Sequence, residues 1–261
     1  VRILVSNDDG IHSEGLRALV AAVEPFGEVW VVAPAAEMSG VSHAITLNRP
    51  LRGQRFKARD RWFAVDGTPT DCVYLAIHHF MKDQLPDLVV SGINHGSNLG
   101  TDAHYSGTVA AAHEAMLKGI PALAFSLVAG RGHSFDAAAA FAGKMVQWVI
   151  DHGLPAGVML NCNVPADADG RYAICSQGKR TYAGNRVVHR RDPRDGDYFW
   201  IGGTEIHHEG RPCADTHAHD DGLITVMPIE QDLTAYKALA KLGQMRLDGQ
   251  TPARIAAAPG D

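Results

Sequence analysis

The sequence predicts an α/β protein built on a doubly wound, mostly parallel sheet, with an extended arm or hairpin and a terminal helix after it. Three observations carry this. Continuous apolar runs such as Ile3-Leu4-Val5 and Leu88-Val89-Val90 suit strands buried on both faces. Helical patterns alternate with them, as in Leu16, Leu19, Val20 and Val23. After about Pro165 that alternation stops, and a polar stretch rich in Arg and Gly follows.

In order, residues 3–5 form the first strand and residues 13–25 the first crossover helix, which Ser13 can cap. Residues 28–32 form the second strand, and a loop over 35–43 holds Ser39-Gly40. Trp62-Phe63-Ala64-Val65 leads through Asp66-Gly67-Thr68 into a helix from Pro69 to about Met81, with Pro at its first position and Thr68 as cap. Residues 87–92 are a strand entering the polar loop Ile93 to Gly100, which is long for a connection with only a topological task. Ser106-Gly107-Thr108 opens a helix over 109–118. Strand 121–127, helix 135–150 and strand 158–163 complete the β-α-β alternation that dictates the doubly wound sheet.

Three segments result: a core over 1–165, an arm with C-terminal elements over 166–247, and a loose tail over 248–261. Within the second, 172–176 and 198–201 read as short strands around the polar stretch 179–197, 223–229 as the last strand and 232–242 as the last helix. The arm has little apolar content and needs a partner to order it.

The 261 residues fit one sizeable domain. A net charge of −5 with no basic run argues against a nucleic-acid polymer, whose phosphates need clustered Lys and Arg. No apolar run reaches bilayer length and no signal peptide precedes Arg2, so a membrane is not an expected partner. The cysteines (72, 162, 175, 213) are scattered without a C-x-x-C, which fits reduced thiols and a cytoplasmic location.

Ligands in open α/β sheets sit beyond the carboxyl ends of the strands. Asn7-Asp8-Asp9-Gly10 lies at such an end. Two adjacent carboxylates repel, and a divalent cation would compensate them; an Asx-rich turn with a helix cap is the other reading of the same residues. Ser39 and Asn94 come from loops at the same edge, and with Asp8 and Asp9 they make an all-oxygen set suited to Mg, Mn or a similar hard ion. Ser106-Gly107-Thr108 reads either as an anion cradle at a helix start or as an ordinary cap. A cation beside an anion cradle is what phosphoryl transfer needs. No Walker or dinucleotide fingerprint occurs, which weakens kinase and NAD readings.

Among the histidines, His43 and His104 lie in these polar loops, where they could touch substrate. Tyr105 could stack on a base or pack. His78-His79 fall in a helix, His207-His208 and His217-Ala218-His219 in loop context, and 186–194 is an Arg-rich solvated face.

These motifs, taken in order, resemble the SurE family of stationary-phase survival proteins, which are metal-dependent 5′/3′-nucleotidases. They are Asn7-Asp8-Asp9-Gly10, Val32-Ala33-Pro34 with Ser39-Gly40, Gly67 to Val73, Val90 to Asn94 with Gly96 and Asn98, and Tyr105 to Ala112. The resemblance is continuous to about Pro165 and weaker to Leu242. It implies a Rossmann-like fold. It also implies one divalent metal per subunit on Asp8, Asp9, Ser39 and Asn94, and phosphate held by Asn98, Ser106, Gly107 and Thr108. Asp8 and Asp9 would be the catalytic pair, nucleoside monophosphates the substrates, and the chain a homodimer or homotetramer with an exchanged arm. Departures at His95, Ser97, Thr101, His104 and residues 223–226 bear on substrate preference and arm packing, not on the proposed ligands.

The expected activity is phosphomonoester hydrolysis, with attack by water favoured over an aspartyl-phosphate intermediate. A signalling receiver domain also has an acidic pair after its first strand. It needs a later phosphoacceptor Asp and a Lys, where this chain has Ala33-Pro34 and Ser126-Leu127. A non-enzymatic nucleotide sensor differs from the enzyme only in turnover.

Overall fold

Strand β1 (Arg2–Ser6) shows how the core is divided. Ile3 and Val5 face one apolar cluster and Leu4 the other, the two-residue alternation of a strand buried on both sides. The computed structural model describes residues 1–56, 59–128, 134–183, 187–202, 205–209 and 211–246. They fall into two units, Val1–Gln231 and Asp232–Asp261.

On the first face lie α1 (Glu14–Val23) and α4 (Asp136–His152), contributing Leu16, Leu19, Val20, Phe141, Val146 and Val149. On the second lie α2 (Pro69–Leu75) and α3 (Gly107–Leu117), contributing Cys72, Val73, Val109, Ala112, Ala115 and Met116. Ser13 caps α1 by accepting from the Leu16 N–H at 3.3 Å. Thr68 and Asp71 close a capping box on α2, with Pro69 at its first turn. The helix expected to run to Met81 changes at Ala76, where a π-turn over Ala76–Phe80 finishes it.

The sheet holds β2 (Glu28–Pro34), β3 (Gly53–Arg55), β4 (Trp62–Val65), β5 (Leu88–His95), β6 (Ala122–Val128) and β7 (Val158–Pro165). Two later strands, β8 (Tyr172–Ile174) and β13 (Ile224–Glu230), extend it. The nine-stranded order is β3-β4-β2-β1-β5-β6-β7-β13-β8, parallel from β4 through β7, with β3 and β13 antiparallel to their inner neighbours. Winding reverses at β1, whose neighbours are β2 and β5, so the switch-point crevice opens at the carboxyl ends of β1 and β5.

The extended arm or hairpin expected after the core is a pair of ladders, with two strands, β9 (Lys179–Ala183) and β10 (Val187–Arg191), inside the polar stretch and two, β11 (Asp197–Ile201) and β12 (Glu205–Glu209), after it; β11 matches the strand expected at 198–201. β9 pairs with β12 and β10 with β11, both antiparallel, the second ladder keeping the register of the first. Backbone pairing across a hairpin needs no apolar face, and the turn at its end supplies the signal in Asp192, whose carboxylate accepts from the Arg194 and Gly196 N–H groups. Strands β3 and β12 and helix α5 (Asp215–Asp220) had no counterpart in the sequence expectation. In the second unit α6 (Tyr236–Leu242) starts later than the 232–242 expected. The tail expected over 248–261 lies outside the described residues.

Candidate functional site

Asp8 follows β1 and is 3 % exposed. Its carboxylate accepts the Thr108 hydroxyl from the first turn of α3, and the Thr108 backbone N–H also faces it. Burial pushes its pKa up to about 6; the Thr108 hydroxyl opposes this and the charge of Asp9 adds to it. The start of α3 therefore already meets a carboxylate, which suits the positive end of the helix dipole. Gly107 makes the approach possible: a Cβ there would stand 2.8 Å from Asp8 Cβ and 3.0 Å from Asp8 Oδ2.

Asp9 is half-buried and accepts the His95 N–H at 3.0 Å, which ties it to the end of β5 beside Asn94. Burial raises its pKa, the His95 amide opposes this, and the nearby Glu37 carboxylate raises it further. Asn94 turns its Nδ2 to the Gly96 carbonyl at 2.8 Å, so Oδ1 is the atom it has left to offer a ligand. The loop after β2 reaches the pair through the Met38 N–H, which donates to the Asp8 carbonyl at 2.8 Å. Ser39 lies in that loop but is exposed, and its hydroxyl donates to Glu37 Oε1 at 2.9 Å.

Two raised carboxylates, an Asn carbonyl and a Ser hydroxyl are what a hard divalent cation binds. The cation would also supply the positive charge that the buried, mutually repelling pair lacks.

The anion side is built around Ser106, which caps α3 by accepting from the Val109 N–H at 3.1 Å. Asn98 is buried, with its Nδ2 2.8 Å from Ser126 Oγ and its backbone held by Asn161 and Asn163. Tyr105 is 68 % exposed at the rim, and its carbonyl accepts the Ser42 N–H. His43 instead turns to the side of α3, with Nε2 3.0 Å from Glu114 Oε2 and Nδ1 3.2 Å from His113 Nδ1. His104 sits in a 3-10 turn with Nε2 3.2 Å from Gln177 Nε2.

The structure thus gathers Asp8, Asp9, Asn94, Gly107 and Thr108 at one crevice, with Ser106 and Asn98 on adjoining backbone. It ties His43 to Glu114. Loop context does not hold for the later histidines: His207 and His208 lie on β12, and His217 and His219 on α5. Sequence reasoning missed Glu37, Ser126, Asn161 and Asn163. The last two carried a signal, since Asn at alternate positions of the apolar run 158–165 places two amides on one buried face.

Comparisons with known proteins cover nearly the whole chain. The family model described as Survival protein SurE matches residues 3–184. A 5′-nucleotidase SurE of Myxococcus xanthus is 52% identical over 250 residues, covering 95% of this chain and 94% of the relative. A 5′-nucleotidase SurE of Geobacter sulfurreducens is 49% identical, covering 97% of this chain and 96% of its own. The crystal structure of the SurE protein from Aquifex aeolicus superposes with a TM-score of 0.80 at 36% identity, covering 93% of this chain and 98% of that one. With a family match over residues 3–184, relatives about half identical over nearly the whole length and a matched fold, the chain belongs to the SurE family.

Proposed function

We propose that this protein is a metal-dependent phosphomonoesterase that hydrolyses nucleoside 5′- and 3′-monophosphates to nucleoside and phosphate. The observation that carries the reading is the Asp8–Asp9 pair, set between the start of α3 and the end of β5 at the switch point of the sheet. Relatives of similar length bear the name 5′-nucleotidase.

In this reading Asp8, Asp9, Asn94 and Ser39 hold one divalent ion per subunit, Mg, Mn or similar; Ser39 would have to release Glu37 to do so. Held by these residues, such an ion would supply Lewis acidity to the phosphate and a more acidic water. Asp8 Oδ1 accepts the Thr108 hydroxyl and Asp9 Oδ2 the His95 amide, which leaves each acid one oxygen; in this reading the pair would both hold the ion and provide the base for the attacking water. Ser106, Gly107, Thr108 and Asn98 hold the phosphate, and Tyr105 offers its exposed ring to the base. His43, bonded to Glu114, flanks the nucleoside through the loop it anchors.

The segment 1–165 is the catalytic core in this scheme, and 166–247 the arm and elements completing fold and oligomer. The assembly is a homodimer or homotetramer with exchanged arms. An isolated two-stranded hairpin is marginal in water, and this one exposes Tyr198, Phe199, Trp200 and Ile201 near its end. The location is cytoplasmic, in keeping with the buried free thiols of Cys72 and Cys162. Among the described residues no helix is long and apolar enough to cross a membrane.

Chelator-treated protein assayed on a panel of nucleoside monophosphates should be inactive and regain phosphate release on adding Mg or Mn. Binding of nucleotide without turnover at any metal concentration would instead make it a sensor.

A further inference from the structure

The face of the sheet beneath α3 is lined by Ala122, Ala124 and Met159, yet at its carboxyl end it carries Ser126, Asn161 and Asn163. Ser126 of β6 is in register with Asn94 of β5 on one side and with Asn163 of β7 on the other. Asn161 lies two residues before Asn163, on the same face. All three are at most 1% exposed. Small apolar residues would fill this face at less desolvation cost, so the polar set answers to something other than packing.

All three converge on Asn98. Asn163 Oδ1 accepts the Asn98 N–H at 2.7 Å, and the Nδ2 groups of Asn161 and Asn163 donate to the Asn98 carbonyl at 2.8 and 3.3 Å. That fixes the backbone of Asn98. Its Nδ2 donates to Ser126 Oγ at 2.8 Å. A hydroxyl both donates and accepts. Half a turn of the amide therefore keeps the Ser126 bond, with the hydroxyl donating to Oδ1, and presents Nδ2 on the other side. Only Nδ2 can donate to a phosphate oxygen.

We propose that Ser126 is a positioning residue for phosphate: when phosphate binds, the Asn98 amide makes this half-turn, the Ser126 hydroxyl donates to Oδ1 and Nδ2 faces the phosphate, on a backbone clamped by Asn161 and Asn163. The proposal rests on Asn98 contacting phosphate. Calorimetric titration of Mg-loaded protein with inorganic phosphate tests it without turnover. Ser126→Ala should weaken phosphate binding roughly threefold to tenfold, the range of one hydrogen bond, and raise KM by a similar factor with little change in kcat. Ser126→Cys, close in shape and a weak donor, should shift both in the same direction and covers a folding failure of the alanine variant. In an Asn98→Ala background the Ser126 substitution should have no further effect. Unchanged phosphate affinity in Ser126→Ala, or an equal loss with Asn98 already removed, overturns the proposal. Phosphate affinity untouched by Asn98→Ala alone overturns the reading beneath it as well.

Discussion

The Thr108 hydroxyl donates to the Asp8 carboxylate across 100 residues of sequence, joining the end of β1 to the first turn of α3. That bond gives the Thr108 hydroxyl a structural partner in addition to the phosphate role proposed for it. Thr108→Val should therefore destabilise the metal-free protein by about 1.5–3 kcal/mol, the worth of a hydrogen bond to a charged group, as read by urea unfolding. Metal-free stability equal to wild type would return the hydroxyl to phosphate alone.

Asp8→Asn and Asp9→Asn each remove one charge from a crowded set that includes Glu37. Both variants should fold, with metal-free stability equal to or above wild type, and lose most nucleotidase activity. The rise in Tm on titrating Mn should shrink, because only a native-state ligand raises Tm with concentration. A full wild-type shift in both variants would put the ion elsewhere.

Gly107→Ala brings a Cβ within 3.0 Å of Asp8 Oδ2 and Pro69 Cγ. Overpacking of this kind costs about 1–3 kcal/mol, and here it displaces a proposed metal ligand. Activity should fall by about tenfold or more, with a lower Tm and a smaller metal-induced shift. Wild-type kinetics would show that the contact relaxes without moving Asp8.

His113 faces His43, while Glu114 and Lys118 pair beside it on the same helix. Burial, and next the charge of His43, lower the His113 pKa, with Glu114 opposing. A depressed folded-state pKa stabilises the protein fully above the unfolded value, about 6.5, and that stability is lost as pH falls through the folded value. His113 therefore lowers Tm as pH falls below about 6.5, and His219, also depressed, acts in the same direction, while the raised pKa values of Asp8 and Asp9 act in the opposite one. His113→Gln should shift the acid-side slope of Tm upward relative to wild type. A slope equal to wild type would remove His113 from the account.

Replacing residues 187–201 with a short turn removes the outer ladder and its aromatic residues. It spares Arg180 and Tyr182, which bond to Asp102 beside the site. Light scattering should show a smaller assembly. An unchanged mass would disconnect the arm from oligomer formation.

What the sequence determined by itself was set by short-range rules. The apolar runs of β1 and β5 read as doubly buried strands, Ser13 and Thr68 as caps, and Asn7-Asp8-Asp9 as a strand-end turn, because period and capping chemistry are local. The hairpin was only half legible: its backbone pairing leaves no apolar pattern between Lys179 and Asp197. Tertiary structure alone decided which loops meet. It alone set Thr108 against Asp8 and the His95 amide against Asp9, and turned His43 to Glu114. The Ser126–Asn98 contact likewise depends on β6 and β7 lying side by side, since register between strands far apart in sequence is fixed by packing of the whole sheet. The same holds for charge: two adjacent aspartates are evident in the sequence, but the raised pKa of Asp8 comes first from the burial that α3 imposes.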